Sequence, residues 1–82
     1  MIKNLTMPTI HHVWTVESVQ TMLPDVQVYH VATRQTIRGT TARKSDTLAY
    51  VYFQDTPDHV ARIDVSWSQI ALALNNATPL TA

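Results

Sequence analysis

The sequence predicts an α+β fold: a small antiparallel three- to four-stranded meander sheet with an N-terminal and a C-terminal helix packed on one face. Three observations lead there. Apolar residues recur at helical spacing near both ends, and the middle of the chain carries β-branched and alternating runs. The turn clusters between those runs are too short for parallel crossovers, so neighbouring strands run antiparallel.

The elements follow in chain order. Residues 1–8 read as a loose N-terminal arm, and Thr9 to Trp14 as a short strand or extended lead-in, Ile10, His12 and Trp14 alternating with His11 and Val13. From Thr15 the period changes. Val16, Val19, Met22 and Leu23 fall at helical spacing, Thr15 is a suitable N-cap, Glu17 complements the dipole in the first turn, and Pro24 stops the run. A helix is expected at about 16–23. After Pro24-Asp25, Val26 to Thr33 is β-branched and aromatic enough for a strand.

Thr36 to Arg43 reads as the next strand, with Gly39 inside it marking a bulge or a place where another backbone comes close. Lys44-Ser45-Asp46-Thr47 is turn chemistry, and Leu48 to Phe53 is the strongest strand signal, six apolar or aromatic residues in succession. A second turn cluster, Asp55-Thr56-Pro57-Asp58, precedes Val60 to Val65, where Arg62 and Asp64 share one face and Ala61, Ile63 and Val65 the other. Ser66 and Gln69 form a capping-box pattern, and Trp67, Ile70, Ala71 and Leu74 make the apolar stripe of a helix ending near Asn75-Asn76. Pro79 lies in a C-terminal tail, 77–82.

Both helices need a common apolar surface, for which Val26 or Val28, Ile37, Val51, Phe53, Ile63 and Val65 are the candidates. Strand parity then leaves Tyr29, Arg38, Thr40, Tyr50, Tyr52, Arg62 and Asp64 on the opposite face.

Composition bounds the function. A chain of 82 residues with 45% apolar content has room for a single domain, 1–82, with a modest core. It contains no cysteine, which removes disulfides, thiolate metal sites and cysteine nucleophiles, and its one glycine removes Gly-rich phosphate loops. No apolar run is long enough for a membrane span or a signal core, so a cytoplasmic, soluble chain without membrane contact is expected. The formal charge is zero, which argues against a globally basic nucleic-acid coat and against an acidic DNA mimic.

No cofactor and no metal is expected, because His11 and His12 point to opposite faces of an extended segment while His30 and His59 belong to separate elements. Asp58-His59 with Ser66 or Ser68 contains the residue types of a hydrolase triad, but Ser66 is better used as a helix cap and so small a chain builds no deep pocket. A non-enzymatic role is the expectation.

Two patterns remain. The open face concentrates tyrosine and arginine, the side chains that dominate protein interfaces, and the same groups stack on unpaired bases. Arg34, Arg38, Arg43 and Lys44 place four of the six basic residues in eleven positions, with no acid among them. Arg34 and Arg38 share parity, and Arg43 joins them only if Gly39 is a bulge that shifts the register. The expected contact residues are therefore Tyr29, Arg34, Arg38, Arg43, Lys44, Tyr50, Tyr52 and Arg62. The expected partner is a larger protein, to which the chain binds as adaptor or inhibitor; the alternative is nucleic acid gripped by the basic 34–44 ribbon. Leu72, off the main stripe of the last helix, adds a homodimer contact to these expectations.

The element order helix, three strands, helix resembles that of double-stranded-RNA-binding domains, and the sheet followed by a helix resembles the sheet-type DNA-binding domains of integrases and some plant transcription factors. The first family carries Lys-Lys-x-Ala-Lys at the start of its last helix, where this chain has Trp67-Ser68-Gln69-Ile70-Ala71. The matching phosphate clamp is absent. For the second, the shared motif is no longer than Arg38-Gly39.

Overall fold

The computed structural model describes residues 13–82, so the expected arm at 1–8 and most of the expected lead-in at 9–14 lie outside the described residues. The order of elements is α1 (Val16–Met22), β1 (Val26–His30), β2 (Gln35–Arg43), β3 (Leu48–Thr56), β4 (His59–Ser66), α2 (Trp67–Asn76) and β5 (Leu80–Thr81). The fold is α+β. Its sheet is five-stranded, curled and mixed, in the order β4-β3-β2-β1-β5. The expected antiparallel meander accounts for β1 to β4, while β5 pairs in parallel with β1, Val28 opposite Leu80 and Tyr29 opposite Thr81. The residues expected to form a tail thus add a fifth strand, anchored by an Ala82 N–H donating to the Tyr29 carbonyl at 2.9 Å.

Helix α1 starts where its sequence predicts. The Thr15 hydroxyl accepts from the Ser18 N–H at 3.1 Å, and Ser18 Oγ accepts in return from the Thr15 N–H at 2.9 Å, a reciprocal capping box. It ends with Leu23 in the left-handed region at φ 47°, ahead of Pro24. Its packing differs from expectation. Of the four apolar residues only Val19 is buried, whereas Val16, Met22 and Leu23 stay exposed. The reason is that α1 docks chiefly on α2 and not squarely on the sheet. The clasp is explicit: the Trp14 N–H donates to Asn75 Oδ1 at 2.6 Å and Asn75 Nδ2 donates back to the Trp14 carbonyl at 2.9 Å.

Helix α2 supplies most of the helical core. Ser66 Oγ accepts from the Gln69 N–H at 3.2 Å, Ala77 closes the helix in the left-handed region at φ 53°, and Trp67, Ile70, Ala71 and Ala73 are buried. Trp67, Ile70 and Ala71 meet Val26 and Val28 of β1, Ala49, Val51 and Phe53 of β3, and Val65 of β4. Trp67 is 1% exposed, and its indole N–H donates to the Ser45 carbonyl at 2.9 Å, so the polar end of the largest core side chain is satisfied inside the β2–β3 turn. The buried Thr41 hydroxyl is likewise satisfied, donating to the Pro24 carbonyl at 2.8 Å.

Gly39 resolves in favour of close approach. Pairing through it is continuous, Val26 opposite Gly39 on one side and Phe53 on the other, and the register shift of the sheet lies instead between Gln54 and Thr56. A Cβ on Gly39 would stand 2.8 Å from Val51 Cγ1 and 2.9 Å from Val28 Cγ2. The first strand is also shorter than expected, because Val31 to Arg34 form the hairpin turn, Arg34 adopting φ 57°.

Candidate functional site

The open face of the sheet is built by strand parity. Thr40, Tyr52 and Arg62 lie opposite one another across β2, β3 and β4, and Ala42, Tyr50 and Asp64 form the adjacent row. The neighbours of these residues along each strand turn to the helix side, so the β-branched inner face and the Tyr/Arg outer face are two consequences of one alternation.

Four of the expected contact residues converge. The Arg62 guanidinium carbon stands 4.5 Å from the centroid of the Tyr50 ring and Lys44 Nζ stands 5.6 Å from it, within the range of cation–π attraction. The Tyr52 ring is 5.9 Å from that of Tyr50, tilted by 56°. Asp64 ties the group together, accepting from Lys44 Nζ at 2.5 Å and lying 3.9 Å from Arg62 Nε. This hydrogen bond to the carboxylate holds the Lys44 ammonium above the usual lysine value, against the opposing effect of desolvation. Tyr50 is half-buried beneath the two cations, while Tyr52 is 36% exposed.

The other four are dispersed. Tyr29 shares the face but sits on β1, beside β5. Arg38 shares it too, its side chain 82% exposed, with Nε donating to Asp25 Oδ2 at 2.8 Å and Nη2 closing on the same oxygen. Arg34 lies in the β1–β2 turn. Arg43 has the parity of Gly39 and Thr41 and turns to the helix side, its guanidinium 5.6 Å from the Trp67 ring and 3.8 Å from Asp46. A row of three arginines required a bulge at Gly39; without one, Arg43 and Arg38 fall on opposite faces. Arg34 and Lys44 flank β2 at its two ends, about 30 Å apart at 3.3 Å per residue.

Asp64 was legible as a face residue from its alternation with Arg62, but its role in holding Lys44 was not, since that contact joins positions twenty residues apart. The triad residue types do not come together. His59 Nδ1 pairs with Asp55 Oδ1 at 2.7 Å in the β3–β4 hairpin and holds that carboxyl below its usual value, whereas Ser66 caps α2 at the far end of β4. Among the described residues no cluster of three or more His, Cys, Asp or Glu side chains is suited to a metal ion, and His11 and His12 lie outside them. No helix among the described residues is long and apolar enough to cross a membrane. Comparison with protein-family models, with curated proteins and with solved structures finds no match to this chain.

Proposed function

We propose that the protein is a small non-enzymatic binding module that occupies a surface of a larger partner protein, as an adaptor or an inhibitor, through its Tyr/Arg sheet face. The observation that carries this reading is the Tyr50 ring with Arg62 and Lys44 over it and Tyr52 exposed beside it. A Tyr50 ring already held by two cations, with Tyr52 packed beside it, loses little conformational entropy on binding, and tyrosine and arginine are among the types that most often dominate interface energetics.

The nucleic-acid alternative has weaker support. Three of the four cations of the 34–44 segment lie against carboxylates, Arg38 on Asp25, Arg43 near Asp46 and Lys44 on Asp64, and the segment's two ends are far apart. The test is an affinity capture from lysate with the wild type and Tyr52→Ala, with and without nuclease, at two salt concentrations. A specific protein retained through nuclease and higher salt, and lost with Tyr52→Ala, is the expected result. Recovery of nucleic acid alone, released by salt, overturns the reading.

A further inference from the structure

We propose that the outer edge of β4 is a self-association surface, on which a second copy of this chain pairs antiparallel about a two-fold axis through Ile63. The two edges of the sheet are handled differently. On the β1 side the sheet ends in the two-residue β5, a short edge with little to offer another chain. On the other side it ends in the eight-residue β4, and among the described residues no strand pairs with the outer edge of β4. Strands left open in this way usually carry proline, charged side chains, lysine above all, or a bulge that blocks further pairing. His59–Ser66 has no proline, no lysine and no glycine, the irregularity at Gln54/Thr56 precedes it, and its two charged residues, Arg62 and Asp64, are of opposite sign.

Charge selects the register. A symmetric antiparallel pairing that keeps both apolar faces on the same side must place the axis on a residue, so that residue i faces a residue of equal parity. An axis through Arg62 sets Arg62 against its own copy, and an axis through Asp64 sets two carboxylates face to face. The axis through Ile63 sets Arg62 opposite Asp64 of the second copy and Asp64, which also accepts from Lys44 of its own chain, opposite its Arg62, two attractive cross-strand pairs on the outer face. The same register brings Ala61 opposite Val65 and Ile63 opposite itself on the inner face, and it uses Val60 to Ser66, nearly the whole strand. On the inner side, Ile63 and Val65 border a groove of mixed character, whose lining includes Asp64, Gln69 and Asn76 as well as Leu72, 60% exposed on α2. Pairing there joins two sheets into one and sets two Tyr50/Arg62 clusters side by side, so a partner of the open face meets a doubled site.

Charge exchange tests it. Arg62→Asp and Asp64→Arg each put like charges opposite one another twice per dimer, whereas an equimolar mixture of the two variants restores two attractive pairs. Sedimentation equilibrium of the full chain across micromolar to millimolar concentrations is expected to give twice the 9.3 kDa monomer mass for the wild type. Each variant alone should dimerise roughly 30-fold more weakly, from about 1 kcal/mol per reversed pair, and the mixture should recover the dimer. A monomeric wild type throughout that range, or a dimer indifferent to both variants, overturns the proposal. Circular dichroism checks that each variant folds. Should either fail to fold, Ile63→Cys in the otherwise cysteine-free chain replaces it: a disulfide between copies is expected under mild oxidation, and its absence overturns the axis.

Discussion

Gly39 packs so closely against Val51 of the neighbouring strand that a single added carbon at position 39 would stand 2.8 Å from Val51 Cγ1 and 2.9 Å from Val28 Cγ2. Real Cβ atoms do not tolerate that separation, and both valines are fully buried with β-branched side chains that are stiff about χ1. Gly39→Ala gains a few tenths of a kcal/mol to about 1 kcal/mol from a less flexible unfolded chain. Overpacking is the larger effect, at about 1–3 kcal/mol. The net expectation is a destabilised protein, read as a lower midpoint in urea with an unchanged slope.

Trp67 gives a second stability prediction. Its ring fills the junction of α2 with the sheet and its N–H is spent on the Ser45 carbonyl. Trp67→Ala should lose about 3–5 kcal/mol, a large share of the roughly 4–12 kcal/mol expected for a domain this size. Trp67→Phe keeps most of the packing and should lose about 1–3 kcal/mol, because it leaves that carbonyl without its donor. Thermal melts of the two variants should rank in that order.

Tyr50 and Tyr52 separate folding from binding. Tyr52 is exposed, and Tyr52→Ala should change stability by no more than about 1 kcal/mol, the range of a cross-strand pair. If the open face carries the partner contact, the same change should weaken capture by about 30-fold, the scale of an interface hot spot. Tyr50→Ala also strips Arg62 and Lys44 of their aromatic seat and should affect both readouts. A Tyr52→Ala protein that folds normally and binds its partner undiminished would sink the proposed face.

The two perturbed ionisable groups act at opposite ends of the pH scale. The Lys44 value is raised by its hydrogen bond to Asp64, so its stabilisation is fully present below the unfolded lysine value of 10.5 and is lost as pH rises through the folded one. Asp55 is depressed by the hydrogen bond from His59, so its contribution is present above the unfolded value of 3.8 and is lost as pH falls through the folded one. Both pairs reach solvent, which screens them, so the effects are small. Lys44→Met should flatten the alkaline side of the stability profile alone, and Asp55→Asn the acid side alone, in urea titrations across pH.

Local pattern was sufficient for much of this architecture. The caps at Thr15 and Ser66, the strand alternation of Val60 to Val65 and the split between the Val51/Phe53 face and the Tyr50/Tyr52 face all follow from periods of 3.6 and 2, which act within a few residues. Tertiary structure decided what depends on distant partners. Leu80-Thr81 has no strand signal of its own and becomes β5 only because β1 offers it an edge some fifty residues away in the chain. Gly39 is a point of close approach and not a bulge because Val51 and Val28 crowd it from neighbouring strands, and that regular pairing in turn sends Arg43 to the Trp67 side and breaks up the basic ribbon. The charges themselves were plain in the sequence. Their neutralisation was not, because the pairing of Arg38 with Asp25 and of Lys44 with Asp64 is fixed by which strands lie side by side, a property of the sheet as a whole.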